Sequence, residues 1–170
     1  KFTITDFGDT TQILGIDIAQ EKERGTISIS QHHYVVSLLK KFGMDDCNPV
    51  HTPGTAKGLT VDPEGNVLLD EHGSRDYQVI VGSFIFFTQS TRMDIAFDVS
   101  QAARFVVNPT SFHIGSVKRI FPYLKGAPNL KTTYSRDSNF ELIGFCDASY
   151  GTGDPEKARS VSGSMYFLSS

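Results

Sequence analysis

Apolar and polar positions change rhythm several times along the chain. Residues 12–18 (Gln-Ile-Leu-Gly-Ile-Asp-Ile) read as one strand, alternating toward its end. Residues 26–30 (Thr-Ile-Ser-Ile-Ser) alternate with period two, the rhythm of a half-buried strand. Between them Glu21, Lys22, Glu23, Arg24 and Gly25 form a charged turn, and Gly25 is free to take a positive φ. A hairpin is predicted. From residue 31 the period lengthens. Tyr34, Leu38 and Phe42 fall on one helical face with Val35 and Leu39 beside them, Ser30 is a suitable cap, and Gly43 a suitable stop.

Residues 48–75 lose all periodicity and collect Pro49, Pro53, Gly54, Gly58, Pro63, Gly65 and Gly73, so a linker is expected. It is long for a connection within a compact domain, and is expected to cross a surface or to move. Residues 76–126 predict three helices. The first runs from Asp76 to Thr88 with Tyr77, Ile80, Val81 and Phe84 in its stripe. The second starts near Asp94, carries Ile95, Val99, Ala102 and Val106, and ends at Asn108-Pro109. The third follows a Thr110 cap with His113, Val117, Ile120, Phe121 and Leu124 on one face, closed by Gly126. Pro122 inside it removes a donor and predicts a kink. Residues 130–135, 141–148 and 160–169 read as three strands, the first two joined by a turn at Arg136, Asp137, Ser138 and Asn139.

The expected fold class is therefore α+β: a hairpin and helix over residues 1–47, a linker over 48–75, a helical region over 76–129, and an incomplete antiparallel sheet over 130–170. Such a sheet leaves open edges. Its last strand carries Met165, Tyr166, Phe167 and Leu168 without a charge. Self-association along that edge is expected, unless the linker folds over it.

Composition changes this picture little. With 39% hydrophobic and 21% charged residues the chain is of ordinary globular type, and no run approaches the roughly 20 apolar residues of a spanning helix. A net charge of −3 argues against a dedicated nucleic-acid binder but leaves room for a local basic face. Cys47 and Cys146 have no metal-ligand spacing and read as two reduced thiols of an intracellular protein. The start Lys1-Phe2-Thr3 has neither an initiator methionine nor a signal segment, as expected of an excised segment.

One order of motifs is informative. Leu14-Gly15-Ile16-Asp17-Ile18 is followed by Ile29-Ser30-Gln31, Tyr34 and Leu38-Leu39, then Phe42-Gly43-Met44, Cys47-Asn48-Pro49 and Thr52-Pro53. Tyr77 with Val81-Gly82-Ser83, Thr91-Arg92-Met93-Asp94-Ile95-Ala96, Asn108-Pro109-Thr110 with His113, Tyr123-Leu124-Lys125-Gly126 and Gly144-Phe145-Cys146-Asp147-Ala148 continue it, with residues 160–163 behind. The series resembles copia-type retrotransposon polyproteins, from the end of the reverse transcriptase into the start of the RNase H. The resemblance implies a palm end over residues 1–47, a thumb- or connection-like helical region, and the first strands of an RNase H-like sheet. It also implies contact with the backbone of an RNA–DNA or DNA duplex. Lys118, Arg119 and Lys125 are then the first candidates and Arg92 and Arg104 the second, against the plainer reading of a solvated helix face.

Catalysis is another matter. The family's polymerase motif Tyr-x-Asp-Asp does not occur in the chain, and nucleotidyl transfer needs clustered carboxylates to hold paired metal ions. Asp45-Asp46 reads as a solvated turn. The resemblance makes Asp147 the inherited first metal-ligating carboxylate of an RNase H, a weak Mg²⁺ ligand alone because that ion keeps its waters and demands octahedral geometry. Asp154 and Glu156 are no substitutes for the family's later ligands. No cofactor is expected for the chain in isolation, and Mg²⁺ for its complete parent. His113 reads as a packed histidine and Arg92 as a partner of Asp94 or Asp98.

The chain also departs from the family, which usually has Pro at Met93, a basic residue at Pro122, often Trp at Tyr150, and Arg-Lys at Ala158-Arg159. Two functions fit: a reverse transcriptase/RNase H polyprotein segment, catalytically incomplete alone, or a domesticated non-catalytic module that binds protein or nucleic acid.

Overall fold

A computed structural model describes residues 5, 8–54, 59, 67–136, 141–149 and 160–169. The order is β1 (Gln12–Ile13), β2 (Ile16–Glu21), β3 (Thr26–Ser30), α1 (His32–Lys41), α2 (Glu71–Thr88), a 3₁₀ turn (Met93–Ile95), α3 (Ala96–Ala103), α4 (Ser111–Lys118), α5 (Ile120–Gly126), β4 (Lys131–Ser135), β5 (Glu141–Ser149) and β6 (Val161–Ser169). The fold is α+β, as expected. The strands form a four-stranded sheet in the order β1-β2-β3-β4 and a two-stranded antiparallel sheet β5-β6.

The first strand is not continuous. Leu14 and Gly15 have φ of 50° and 79°, the positive pair that a tight type I′ turn demands, so β1 folds straight back on β2 with Ile13 opposite Ile16. Gly25, with φ of 62°, closes the next hairpin as expected. Helix α1 starts one residue later than predicted, with Gln31 rather than Ser30 at its cap, and stops at Gly43 with φ of 62°. Helix α2 begins at Glu71, well before Asp76, because the Asp70 carboxylate accepts the Gly73 N–H at 2.8 Å and fixes an additional first turn. Just before it, Leu68 bridges Thr110, and the Leu69 N–H donates to the Pro109 carbonyl at 2.9 Å. This end of the expected linker is thus fixed.

The predicted third helix is two. Pro122 has no N–H to give the Lys118 carbonyl, and α4 ends at Lys118 while α5 starts at Ile120. The predicted three-stranded C-terminal sheet also divides. β4 lies beside β3, where the Ser28 and Thr133 hydroxyls meet at 2.8 Å, and among the described residues β5 pairs with β6 alone.

Two compact units emerge: Lys1–Ala19 with Ser28–Thr133, and Gln20–Ile27 with Tyr134–Ser170. The core of the first is helical. Val35, Leu38 and Leu39 of α1 and Ile80, Val81, Phe84 and Phe87 of α2 are buried together with Val99, Val117, Ile120, Phe121 and Leu124. Phe121 is its aromatic hub, with ring centres 4.9 Å from Phe84 and 5.4 Å from Phe42. The Tyr77 hydroxyl, fully buried, donates to the Ala102 carbonyl at 2.8 Å, and burial pushes the phenol's pKa up to about 12. In the second unit β5 and β6 pair along their whole length, from Glu141↔Ser169 to Ser149↔Val161. No helix among the described residues is long and apolar enough to cross a membrane.

Candidate nucleic-acid interface

The break between α4 and α5 presents the basic candidates. Lys118 ends α4 and is exposed, and Arg119 stands exposed in the break itself. Arg119 donates from Nη2 to the Thr52 hydroxyl at 3.3 Å. Lys125, in the last turn of α5, is half-buried and gives its Nζ to the Cys47 carbonyl at 2.8 Å. The Val50 N–H donates to the Pro122 carbonyl at 3.3 Å. Lys125 and Arg119 therefore help lay residues 47–52 along α5, and Lys118 and Lys125 also complement the negative C-terminal ends of their helices.

Arg104 caps α3 at the surface. Its Nη1 donates to Gln101 Oε1 at 3.0 Å, and its guanidinium lies 5.9 Å from the Phe105 ring centre. Arg92 is placed differently. It is buried, with 1% of its surface exposed, and faces inward. Its Nε and Nη2 grip Asp94 at 3.0 and 2.8 Å, its Nη1 donates to the Ala127 carbonyl at 2.9 Å, and the Tyr123 ring lies 5.5 Å away. The Tyr123 hydroxyl closes the network by donating to Asp94 at 2.7 Å. Burial alone would raise the Asp94 carboxyl, but the hydrogen bonds from Arg92 and Tyr123 and the Arg92 charge outweigh it and hold the pKa below its ordinary value. The Arg92–Asp94 pairing was legible in the sequence. The parts played by Ala127 and Tyr123 were not, because nothing local ties them to Arg92.

A cavity of about 510 Å³ opens between α3 and α4, with Ala102, Val117 and Ile120 beneath and Phe112, Asp98 and Arg119 at its sides. Burial pushes the Asp98 carboxyl up, against the opposing pull of a backbone hydrogen bond and Arg119. His113 is packed as expected. Its Nδ1 accepts the Thr110 N–H at 3.0 Å, completing a capping box, and its ring stacks 4.0 Å from Phe105.

Asp147 lies exposed on β5 opposite Gly163, and its carboxylate accepts the Ala148 N–H at 2.8 Å. Among the described residues no three His, Cys, Asp or Glu side chains gather as a metal site. Asp154, Glu156, Tyr150, Ala158 and Arg159 lie outside the described residues, as does most of the turn expected at 136–139. Asp45 and Asp46 are exposed in a turn.

Residues 1–56 match the family described as reverse transcriptase (RNA-dependent DNA polymerase). The chain is 32% identical to the retrovirus-related Pol polyprotein from transposon TNT 1-94 of Nicotiana tabacum, over 99% of this chain and 13% of the relative. It is 30% identical to that from transposon RE1 of Arabidopsis thaliana, over 99% of this chain and 11% of the relative. An uncharacterized mitochondrial protein of Arabidopsis thaliana is 28% identical over 98% of this chain and 66% of its own length. No solved structure matches the chain. The chain thus spans only about an eighth of the TNT 1-94 polyprotein and a ninth of the RE1 one. Nearly all of this sequence aligns with one stretch of these retrotransposon Pol polyproteins, and its first third with the reverse transcriptase family, in keeping with the resemblance that the order of its motifs carried.

Proposed function

We propose that this segment steadies the template–primer of its parent polyprotein by gripping the duplex backbone, and that alone it neither polymerises nor cleaves RNA. The observation that carries the reading is the exposed pair Lys118 and Arg119 at the α4–α5 break, with Arg104 a further surface cation. The likeness of residues 1–56 to RNA-dependent DNA polymerases supports a nucleic-acid partner. The lack of a Tyr-x-Asp-Asp motif and the single strand-borne Asp147 support the absence of catalysis.

The test is fluorescence anisotropy with an RNA–DNA hybrid. If three phosphates are neutralised, affinity falls about 40-fold between 50 and 200 mM salt. Lys118→Glu weakens binding and flattens that slope without touching the core, since Lys118 is exposed. Binding that ignores both salt and Lys118→Glu overturns the reading and favours a domesticated protein-interaction module. Hybrid cleavage with Mg²⁺ or Mn²⁺ that Asp147→Asn abolishes overturns the inactivity.

A further inference from the structure

The cavity of about 510 Å³ between α3 and α4 has no part in gripping a duplex backbone, yet Arg119 lines it and the exposed Lys118 is the next residue. Its volume is that of a small-molecule site, and Ala102, Val117 and Ile120 make its floor apolar. Gly115 helps to keep it open, since a Cβ built there meets nothing within 4 Å. The half-buried Phe112 offers a ring at one side. Asp98, also half-buried, stands at another. Among the described residues its own backbone N–H is the one group that donates to its carboxylate, and Arg119 acts on it through charge alone. Asp98 therefore keeps spare acceptor capacity beside an apolar space, where a ligand's donor would be well placed. A ring for stacking, a carboxylate that can only accept and a cation beside them are together complementary to a nucleotide whose base carries an amino group.

We propose that this cavity takes an unpaired base with an exocyclic amino group, from a single-stranded end of the template–primer, while Arg119 holds the phosphate of the same nucleotide. The base lies on Phe112 and gives an amino hydrogen to the Asp98 carboxylate. Uracil and thymine are disfavoured. They carry a carbonyl oxygen where cytosine carries its amino group, and an ionised carboxylate has no proton to offer it. The inference rests on the nucleic-acid reading above and adds to the backbone grip a place where sequence is read.

Fluorescence anisotropy of the full chain at fixed low salt tests this with three RNA–DNA hybrids: one blunt, one tailed with unpaired cytidines, and one with an equal tail of uridines. The cytidine tail is expected to bind about tenfold tighter than the uridine tail. Both tails carry the same phosphates, so their ratio reports the base. Gly115→Leu fills the cavity with a better helix former, so the melting temperature should not fall while the ratio drops to one. Asp98→Asn keeps the shape of the side chain and should also remove the preference, by weakening the cytidine tail. Tails that bind alike in the wild-type chain overturn the proposal, and so does a preference that survives either variant. The blunt hybrid measures the backbone grip separately. Salt-dependent binding of the blunt hybrid without a preference between tails overturns the cavity reading alone, a preference without blunt binding overturns the grip alone, and binding to none of the three overturns both.

Discussion

Gly54 and Asp98, 44 positions apart, approach so closely that a Cβ on Gly54 would lie 1.7 Å from the Asp98 Oδ1 and 2.5 Å from its Cγ. No backbone strain enters here. The glycine is required by space, because the carboxylate of α3 occupies the volume a side chain would take.

Gly54→Ala is therefore expected to destabilise the chain by about 1–3 kcal/mol, the usual range for overpacking. Asp98→Ala in the same chain should restore most of the loss, since it removes the clashing atoms. Urea denaturation of the two single variants and the double variant gives the coupling directly. Additive losses would mean that segment 47–54 shifts without consulting Asp98.

Asp94→Ala leaves the Arg92 guanidinium buried without its counter-ion and should cost about 3–5 kcal/mol. The same pair gives a signed pH dependence. The folded-state pKa of Asp94 is depressed below 3.8, so the unfolded chain takes up the proton first on acidification. The stabilisation is complete above the unfolded value and is lost as pH falls through the lower folded value. In thermal melts the gap between wild type and Asp94→Asn should then be constant above about pH 5 and close below pH 4. A gap that widens on acidification would remove Asp94 as the source.

Tyr77→Phe removes the hydroxyl that the Ala102 carbonyl accepts, in a place water does not reach. The expected loss is about 0.5–1.5 kcal/mol, the net worth of one buried hydrogen bond, because the Ala102 carbonyl still accepts the Phe105 N–H at 3.1 Å. A loss below half a kcal/mol would mean that water enters and replaces the hydroxyl.

The legible parts of the fold are those where local pattern and tertiary demand agree. Val35, Leu38 and Leu39 stand a helical turn apart and are buried, Gly25 and Gly43 take the positive φ their places demand, and Thr110 caps α4. Three features escaped for physical reasons. Leu14 takes φ of 50° although a branched hydrocarbon side chain advertises no turn. The first turn of α2 hangs on the Asp70 cap, in a stretch whose glycines and prolines read as linker. The choice of β3 as the neighbour of β4 is decided across the fold, and the strand residues carry no label for it. At the candidate interface, charge alone could not separate a surface cation such as Lys118 from Arg92, whose fate is set by a carboxylate, a carbonyl and a ring converging on it.

The hydroxyls of Ser28 and Thr133 join strands 105 positions apart in the sequence. During synthesis β3 leaves the ribosome well before its neighbour exists. At ordinary elongation rates that interval is about 5–20 s, long beside the microseconds in which a hairpin closes. β3 must spend those seconds as an outermost strand, while the helices between it and β4 are still being made. Temporal order thus assigns the sheet's last strand a closing role. Whatever delays β4, from a slow codon to a bound chaperone, prolongs the time in which Ile27 and its neighbours can recruit the wrong strand.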